Sequence, residues 1–418
     1  MSKRIAVIAT LDTKGDEANF IREELQALGA TPVLIDIGVI GEPTTHVDIS
    51  KDEIARAAGS SIEQILENPT RQTASEIMIR GASSILIKAI KDADLHAVIG
   101  LGGTQGTPNC AQIMQQLPYG FPKIILSTVA SGDTAPFMGI KDITMMPAVG
   151  DILGLNPFSR KILANLAGAA FGMSKIDREI APEGDTKGTI GMTNLGVLTE
   201  GSMHAIKRFN EAGYEVITFH AVGTGGRSME QMMREGVFTG VFDYALGEIA
   251  DDVFEGLRAA DDQRLSVAGE LGIPQVICPG GAEHLGYWVN DPNTVPEKYK
   301  DHKYVFHNPY VFVPRLNSEE ITKVGEEINN RLAKTPGRCR FLIPTKGVSR
   351  YSIEGGELYD PLSDQAFFDT LEHGLPDTID VEKLDWAAED PRFIDHAVDA
   401  LIELIEEQKS DKIIPFSS

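Results

Sequence analysis

The sequence predicts an α/β protein built as two Rossmann-like domains, each with a parallel sheet in a three-layer α/β/α arrangement. Three observations support this prediction. Short, continuous apolar runs are typical of parallel strands that are buried on both faces. Each run is followed by a polar loop and then by apolar residues at helical spacing. The same pattern returns after nearly half of the 418 residues, a length that indicates two or three domains.

The chain begins with one strand–loop–helix–strand unit. Residues 4–10 form a continuous apolar run, which predicts a buried strand, and residues 11–15 form a polar loop. A helix follows from Asp16 and ends at Gly29, and residues 31–37 supply the next strand. The helix is predicted from apolar residues that recur every three or four positions: Ala18, Ile21, Leu25 and Leu28.

A second unit of the same design starts near residue 188. Residues 189–194 and 215–220 are predicted strands, with a loop at 195–201 and a helix that ends at Gly213. Gly213 lies 184 residues after Gly29. The helix between the two strands is predicted from Met203, Ile206, Phe209 and Ala212.

A further correspondence joins residues 97–103 to residues 275–281, at an offset of 178 residues. We infer two α/β domains of similar topology. Either a duplication or the rhythm common to all doubly wound folds explains the repeat. The boundary is predicted within residues 180–188, which contain turn formers and no apolar period. The predicted domains are therefore residues 1–184 and residues 185–418.

The acidic composition excludes some classes of partner. The chain carries 61 acidic and 38 basic residues, a formal net charge of −23. This charge disfavours binding to nucleic acids and membranes, although loop amides can still hold a small anion. The sequence contains neither a signal peptide nor an apolar run of membrane-spanning length, so we expect a cytoplasmic protein. The three cysteines lie far apart and are expected to be free thiols: Cys110, Cys278 and Cys339.

The first candidate ligand-binding loop follows the first predicted strand. Its polar members include Thr10, Asp12, Thr13 and Lys14, which precede a helix N-terminus. In a functional interpretation, Lys14 contacts a phosphate and Asp12 contacts a metal ion or a ribose. In a structural interpretation, Thr13 or Asp16 caps the helix and Lys14 is solvated.

The second loop is glycine-rich and follows the strand near residue 97. Its glycines and threonines allow the backbone to approach an anion closely. It does not match G-x-G-x-x-G, because position 105 is glutamine, and no Gly-Lys pair exists for a Walker A motif. We interpret it as a phosphate-binding loop without a recognised motif, with a tight turn as the structural alternative. Its candidate residues are Gly102, Gly103, Thr104, Gln105, Gly106 and Thr107.

The third loop follows the strand predicted at residues 123–126 and contains Ser131, Gly132 and Asp133. The carboxyl ends of parallel strands meet at one edge of a sheet, so this loop is expected to join the first two. Asp133 is the candidate magnesium ligand and a candidate catalytic residue. An Asx turn is the structural alternative. Two later segments are expected either to close over this site or to form a crossover between subunits: residues 147–151 and 156–160.

The second predicted domain has a comparable glycine-rich loop. Gly223, Gly225 and Gly226 follow a strand and open a helix, and Arg227 adds a planar anion-binding group. With the nearby Glu248, these residues predict a second small-anion site.

Glu283 and His284 follow another strand of this domain. Together with Arg227 they are candidate catalytic residues, because a histidine beside a carboxylate can transfer protons or bind a metal ion. The structural alternative is a hydrogen-bonded histidine at a strand end. Residues 341–350, a strand and a polar loop, are expected to complete this site.

These segments together resemble the tomato mosaic virus resistance protein-like ATP-binding family, whose bacterial members are largely uncharacterised. The resemblance implies two Rossmann-like domains, ATP with Mg²⁺ in the N-terminal domain, and a homo-oligomer, either a dimer or a larger assembly. The segments that carry it are residues 5–15, 102–107, 127–133, 149–165, 219–230 and 347–349.

Three functional hypotheses remain open from the sequence. The first is an ATP-binding protein, extending to an ATP- and magnesium-dependent enzyme that acts on a small acid. The second is a nucleotide-independent hydrolase or lyase, in which Arg227 clamps a small carboxylate while Glu283 or His284 transfers protons. The third is a non-catalytic binding module that ATP stabilises.

Overall fold

The computed structural model describes residues 2–67, 70–176, 185–334 and 337–413, the last with side chains to residue 411. The chain divides into two compact units, Met1–Ile180 and Ala181–Ser418. Residues 180–184 of the predicted boundary segment lie outside the described residues.

The first unit contains one sheet of five parallel strands, in the spatial order β2-β1-β3-β4-β5. The central strands are buried along their whole length or nearly so, which agrees with their continuous apolar sequences. The strands are β1 (Arg4–Ala9), β2 (Thr31–Asp36), β3 (Ala97–Gly102), β4 (Lys123–Ser127) and β5 (Thr144–Pro147).

Helices cover both faces of this sheet. Alternate residues of β1 point to opposite faces. Ile5 and Val7 pack in one cluster with residues of α1 and α7, and Ala6 and Ile8 pack in another with residues of α4 and α5. The helices are α1 (Gly15–Ala27), α2 (Lys51–Ala57), α3 (Ile62–Glu67), α4 (Arg71–Lys91), α5 (Gly106–Gln115), α6 (Ala135–Met138) and α7 (Pro157–Ser174).

The second unit contains a sheet of six parallel strands and a small antiparallel sheet. The parallel sheet has the order β14-β13-β9-β8-β6-β7, and the antiparallel sheet the order β10-β12-β11. The strands are β6 (Thr189–Asn194), β7 (Glu215–His220), β8 (Gly240–Ala245), β9 (Gln275–Gly280), β10 (Tyr287–Trp288), β11 (Tyr304–Asn308), β12 (Val311–Pro314), β13 (Cys339–Pro344) and β14 (Asp380–Leu384).

Helices also cover both faces of the six-stranded sheet. Phe242 of β8 packs with residues of α8 and α14, whereas Ile277 of β9 packs with residues of α12 and α13. The predicted fold class, α/β with two three-layer Rossmann-like parallel sheets, is therefore confirmed. The helices are α8 (Thr199–Glu211), α9 (Thr224–Arg234), α10 (Gly247–Val253), α11 (Val267–Leu271), α12 (Ser318–Lys334), α13 (Pro361–Gly374) and α14 (Pro391–Ile413).

The two parallel sheets share one topology. Numbered along the chain, their strands follow the order 2-1-3-4-5, and the second sheet adds a sixth strand at the β13 edge. This order makes β8 the counterpart of β3. The predicted correspondence between residues 97–103 and 275–281 is therefore wrong, because the latter segment contains β9, the fourth strand of its sheet.

One predicted loop is also wrong. Residues 195–201 contain a short 3₁₀ helix at Gly196–Leu198, and α8 starts at Thr199. The backbone amides of Glu200 and Gly201 donate to Glu389 Oε1, at 2.9 and 3.4 Å. This distant carboxylate stabilises the first turn of α8, which local sequence does not reveal.

Among the described residues, no helix is both long enough and apolar enough to cross a membrane.

Candidate functional site

Three of the predicted loops leave the same edge of the first sheet. Strand pairing places Ile8 of β1 beside Gly100 of β3, and Gly102 beside Ser127 of β4. Thr10 therefore follows β1 at the level of Gly102 and Ser127. Because adjacent strands lie about 4.8 Å apart, the three loops start within about 10 Å of one another.

This edge contains the topological switch point of the sheet. The chain leaves β1 toward β2 on one side, and leaves β3 toward β4 on the other. In open α/β sheets, the crevice between two such strands is where ligands bind. The loop of residues 10–15 and the loop of residues 102–107 border this crevice.

The first loop is closed by its own backbone. Thr10 O accepts hydrogen bonds from the amides of Thr13 and Lys14, at 3.2 and 2.9 Å. The Thr10 and Thr13 hydroxyl oxygens lie 3.1 Å apart. Asp12 is half-buried beside the loop after β2, where a Cβ on Gly41 would lie 2.8 Å from Asp12 Oδ2. The fold thus fixes the four predicted polar residues of this loop in one tight turn.

Lys14 lies between this loop and the segment that connects β5 to α7. Its ammonium donates to the carbonyl of Ile152. Two residues further on, the Gly154 amide donates to Glu17 Oε1 at 2.7 Å. The connection between β5 and α7 therefore lies against the N-terminal turn of α1, next to the candidate site.

In the glycine-rich loop, Gly102 and Thr107 have packing roles. Thr107 is fully buried, and its hydroxyl oxygen lies 2.7 Å from that of Ser127. A Cβ on Gly102 would overlap the Thr107 backbone nitrogen. These two residues pack β3 and β4 against the start of α5. This packing accounts for the residue types at both positions without a ligand.

The middle of the loop is open. Thr104 and Gln105 are exposed, and Gly103 and Gly106 are half-buried. A Cβ on Gly103 would have only the Thr128 hydroxyl oxygen nearby, at 3.9 Å. The backbone between Gly103 and Gly106 is therefore the part of the loop that a ligand can reach.

Two helices begin at this crevice without a side-chain cap. Lys14 is the N-cap of α1 and Gln105 is the N-cap of α5, and neither side chain accepts a hydrogen bond from its helix. The first amides of a helix have no partner within the helix and carry a partial positive charge. Two such helix ends at one switch point form an environment that suits an anion.

Ser131, Gly132 and Asp133 are exposed in the loop after β4. Asp133 Oδ1 accepts a hydrogen bond from the Ala135 amide at 3.0 Å, so the structural role predicted for Asp133 is present. Among the described residues, no group of three or more acidic, histidine or cysteine side chains is arranged to hold a metal ion. A single carboxylate nevertheless fits Mg²⁺ in a nucleotide site, where phosphates and water supply most ligands.

In the second unit, the glycine-rich loop already holds an anion of the protein itself. Glu248 Oε1 accepts hydrogen bonds from the amides of Gly223 and Gly226, at 2.5 and 3.1 Å. Arg264 Nε donates to Glu248 Oε2 at 2.8 Å. An external anion would have to displace this buried carboxylate. Arg227 donates to the carbonyl of Gly223 instead.

Gly225, also assigned to this second site, lies where the start of α9 approaches β7. A Cβ on Gly225 would overlap the carbonyl oxygen of His220. Close packing therefore explains this glycine without a ligand.

Glu283 and His284 lie in the interior. Their exposed fractions are 0% and 2%, and His284 Nδ1 lies 3.1 Å from Glu283 Oε1. Ser349 Oγ also donates to Glu283 Oε1. Burial alone would raise the pKa of Glu283, but His284, Arg315 and the Ser349 hydroxyl together lower it to about 2. This carboxylate is ionised and enclosed, which is typical of a structural ion pair.

Two groups of buried polar residues in the second unit are not predicted from the sequence. Arg264 is 1% exposed and pairs with Asp243, which interrupts an otherwise apolar strand, at 2.5 Å. A charged residue in the middle of a buried strand was the available signal. Arg315 and Asp364 form a second buried pair at 2.6 Å and carry no local signal, because they lie 49 residues apart.

The cysteines are free and buried, as expected for Cys110 and Cys278, and Cys339 is buried as well. Burial raises the pKa of the Cys110 thiol to about 12. None of these described thiols has the environment of a reactive nucleophile.

Comparison with known proteins shows relatives that match over nearly the whole chain. A UPF0261 protein of Clostridium tetani is 38% identical over 408 residues, covering 97% of this chain and all of the relative. One from Rhizobium meliloti is 38% identical over 400 residues, covering 95% and 98%. The ToMV resistance protein Tm-1(GCR237) of Solanum lycopersicum is 32% identical over 427 residues, and covers 96% of this chain but 56% of the tomato protein.

Models of the two domains of one family match the two halves of the sequence. The N-terminal domain of the uncharacterised protein family UPF0261 matches residues 3–179, and its C-terminal domain matches residues 187–405. With the tomato relative, these matches confirm the resemblance found in the sequence. The chain belongs to the uncharacterised protein family UPF0261.

Proposed function

We propose that the N-terminal unit binds ATP with Mg²⁺ at the carboxyl ends of β1, β3 and β4. The observation that carries this proposal is the pair of helix N-termini, α1 and α5, that open at the β1/β3 switch point without a side-chain cap. Backbone amides at this position of an open α/β sheet can bind the phosphates of a nucleotide.

The other unit supplies a contrast within the same chain. By strand order, α8 is the counterpart of α1, and its first amides donate to Glu389. The amides before α9 donate to Glu248. An internal carboxylate thus holds the first amides of α8, whereas its counterpart α1 begins without a side-chain cap. The counterpart of α5 is α10, and both of these helices begin without a side-chain cap. The difference between α1 and α8 favours the N-terminal unit as the nucleotide site, despite the acidic charge of the whole chain.

Each of the open residues has a role in this proposal. The backbone from Gly103 to Gly106 donates hydrogen bonds to the phosphates. Lys14, whose ammonium already donates to a carbonyl at the crevice, offsets the phosphate charge. Asp133 contributes one carboxylate to Mg²⁺, which supplies charge neutralisation for the phosphates when it is bound.

Calorimetry with ATP and Mg²⁺ tests the proposal on three variants. Gly103→Val places a side chain in the open part of the loop, and we expect it to abolish binding. Asp133→Asn keeps an oxygen for the Ala135 amide but removes the charge, so it should weaken binding only when Mg²⁺ is present. Gly196→Val is the matched control, because a Cβ at Gly196 also meets open space, but in the second unit. Absence of ATP binding by the wild type, or equal binding by Gly103→Val, refutes the proposal.

Measurements of ATP and substrate turnover distinguish an enzyme from a binding module. ATP hydrolysis that depends on a small acid indicates the enzyme, and ATP binding without turnover indicates the binding module. Turnover of a small carboxylate without ATP, abolished by Arg227→Ala, supports the nucleotide-independent enzyme instead. We also propose a homo-oligomer, which light scattering would detect as a multiple of the chain's mass.

A further inference from the structure

The first unit contains an open groove of about 780 Å³ between α4 and α5, which the proposed ATP site does not use. Gln112 of α5 and the following Gln116 form one wall, and α4 forms the other. Met78 and Leu86, on another side of α4, are buried in the core of the unit. The groove residues of α4 recur every three or four positions, which is the spacing of one helix face, and include Glu76, Arg80, Ser83, Ile87 and Lys91.

A buried hydroxyl in this α4 face has no partner. Ser83 lines the groove and is 5% exposed, and its Oγ makes no hydrogen bond with any described residue. A buried hydroxyl without a partner costs free energy, so native proteins rarely contain one. The adjacent Ser84 is exposed and also lines the groove. The two small side chains allow another helix to approach the middle of α4 closely, and that helix can supply the missing partner.

Two charged residues near the ends of this face are also without an ion pair. Glu76 and Lys91 are both exposed, and neither forms a salt bridge within the part of the chain that the structure describes. The other two cations of the groove already have partners. Arg80 donates to the backbone carbonyl at the end of α2 at 3.0 Å, and Lys88 pairs with Asp92. The unpaired charges of the face are therefore one negative and one positive.

These two charges are placed symmetrically about the serines. Glu76 and Lys91 lie equally far along α4 from the point between Ser83 and Ser84. When a second α4 packs antiparallel with a two-fold axis at this point, Glu76 of each copy lies opposite the partner's Lys91. The serines of the two copies meet at the axis, where the Ser83 hydroxyl finds a hydroxyl of the partner. An interface between identical copies must be self-complementary in this way.

Other arrangements of the two helices bring like charges together. A parallel pair would place each charged residue of the face beside the same residue of the partner. Moving the antiparallel axis onto Ser84 would place Glu76 opposite the partner's Asp92 and Arg80 opposite the partner's Lys88. Like charges facing each other across an interface oppose association. The charges of α4 therefore favour the antiparallel register centred between the two serines.

We propose that this α4 face is a two-fold interface between two copies of the chain, with the α4 helices antiparallel and Glu76 of each copy paired with the partner's Lys91. The inference rests on the homo-oligomer proposed above, to which it gives a surface, a symmetry and a register. It uses none of the residues assigned to ATP.

Cysteine cross-linking of the full chain tests the register. Ser84→Cys places a thiol beside the two-fold axis, so mild oxidation should convert most of this variant into a disulfide-linked dimer. Gln72→Cys is the matched control, because it is exposed on the same helix but its two thiols would lie about 35 Å apart along the paired helices. It should form at least about tenfold less cross-linked dimer. The three native cysteines are buried and should remain free.

Charge reversal tests the pairing, with light scattering between about 1 and 100 µM to measure the dissociation constant. Glu76→Lys replaces two attractive pairs per dimer by two repulsive ones, so it should weaken the dimer at least about tenfold. Adding Lys91→Glu exchanges the charges and should restore the dissociation constant to within about threefold of wild type. Glu23→Lys makes the same change in net charge at an exposed position of α1 outside the groove and should alter the constant by less than about twofold.

Thermal unfolding of each variant checks that it is folded. A monomer at every concentration would mean that no second copy fills the groove, and it overturns this inference together with the proposed homo-oligomer. Three results overturn the surface while the homo-oligomer stands: an unchanged dissociation constant in Glu76→Lys, no recovery on adding Lys91→Glu, or no more cross-linking in Ser84→Cys than in Gln72→Cys.

Discussion

Beneath α9, one guanidinium faces three carboxylates. Arg264 contacts Asp243 and Glu248 closely, and lies 3.8 Å from Glu230. A single positive charge cannot neutralise all three acids. Burial, together with the charges of Asp243 and Asp261, raises the pKa of Glu230 to about 8, although Arg264 and the Leu265 amide oppose this shift. Glu230 therefore carries a proton at neutral pH in the folded protein.

This proton makes stability depend on pH. The folded pKa of Glu230 is about 8 and the ordinary value is 4.5, so the folded state binds the extra proton between these values. Stability from this group is present below pH 4.5 and is lost as the pH rises toward 8. Glu230→Gln, which cannot lose the proton, should gain about 2–3 kcal/mol over wild type between about pH 6 and pH 9. Urea denaturation at both pH values measures the free energy of unfolding of the two proteins. If the difference between Glu230→Gln and wild type is the same at both pH values, the prediction is contradicted.

Glu248 should be among the least replaceable residues of the second unit. It is fully buried, accepts two loop amides and pairs with Arg264. Glu248→Gln leaves Arg264 paired with Asp243, but it replaces one acceptor oxygen by an NH₂ group among buried donors, which should lower the free energy of unfolding by about 2–3 kcal/mol. Chemical denaturation measures the loss. Glu270→Gln, at an exposed pair with Arg234, is the control and should cost less than about 1 kcal/mol.

At the scale of elements, local sequence predicts most strands because burial on both faces requires continuous apolar residues. The strand at Thr189–Asn194, buried except at its last residue, agrees with its predicted limits. Similar glycine-containing strand ends do not identify equivalent strands. A Cβ on Gly102 would overlap Thr107, whereas a Cβ on Gly280 would overlap the carbonyl of Tyr244. Each glycine is required by close packing against a different neighbour. The sequence similarity between residues 97–103 and 275–281 therefore does not show that their strands occupy equivalent positions in the two sheets.

The glycine at the end of β3 gives a prediction for the packing of α5. Gly102→Ala should lower the free energy of unfolding by about 1–3 kcal/mol, because the new methyl group meets backbone atoms that cannot move aside cheaply. Gly168→Ala in α7 is the matched control, since its Cβ meets open space. There the change should stabilise by about 0.5–1 kcal/mol through helix propensity. Thermal unfolding distinguishes the two, and similar shifts in both variants contradict the packing argument.

The part of the candidate site that the sequence does not predict is the set of contacts between residues far apart in the chain. The glycine loops are visible in sequence, but the carboxylate that holds the amides of Gly223 and Gly226 comes from Glu248, more than 20 residues away. Glu389 reaches the start of α8 from 188 residues away. Sequence shows where a helix can receive an anion. It does not show whether the protein supplies that anion itself.

At the scale of the whole chain, two sheets of one topology present different chemistry. The formal net charge of −23 is a property of the whole chain, whereas the local charge at the helix ends determines where a small anion can bind. In the second unit, Glu389 holds the first amides of α8 and Glu248 holds the loop amides before α9. In the first unit, the ends of α1 and α5 remain without side-chain caps.

Hydrogen–deuterium exchange of the full chain, with and without ATP and Mg²⁺, tests this central claim most directly. We predict slower exchange of the amides in residues 10–16 and 103–107 when ATP and Mg²⁺ are added. The amides of residues 223–227 should not change, because Glu248 already holds two of them. Unchanged exchange throughout, or slowing confined to residues 223–227, would contradict the assignment of the nucleotide site to the first unit.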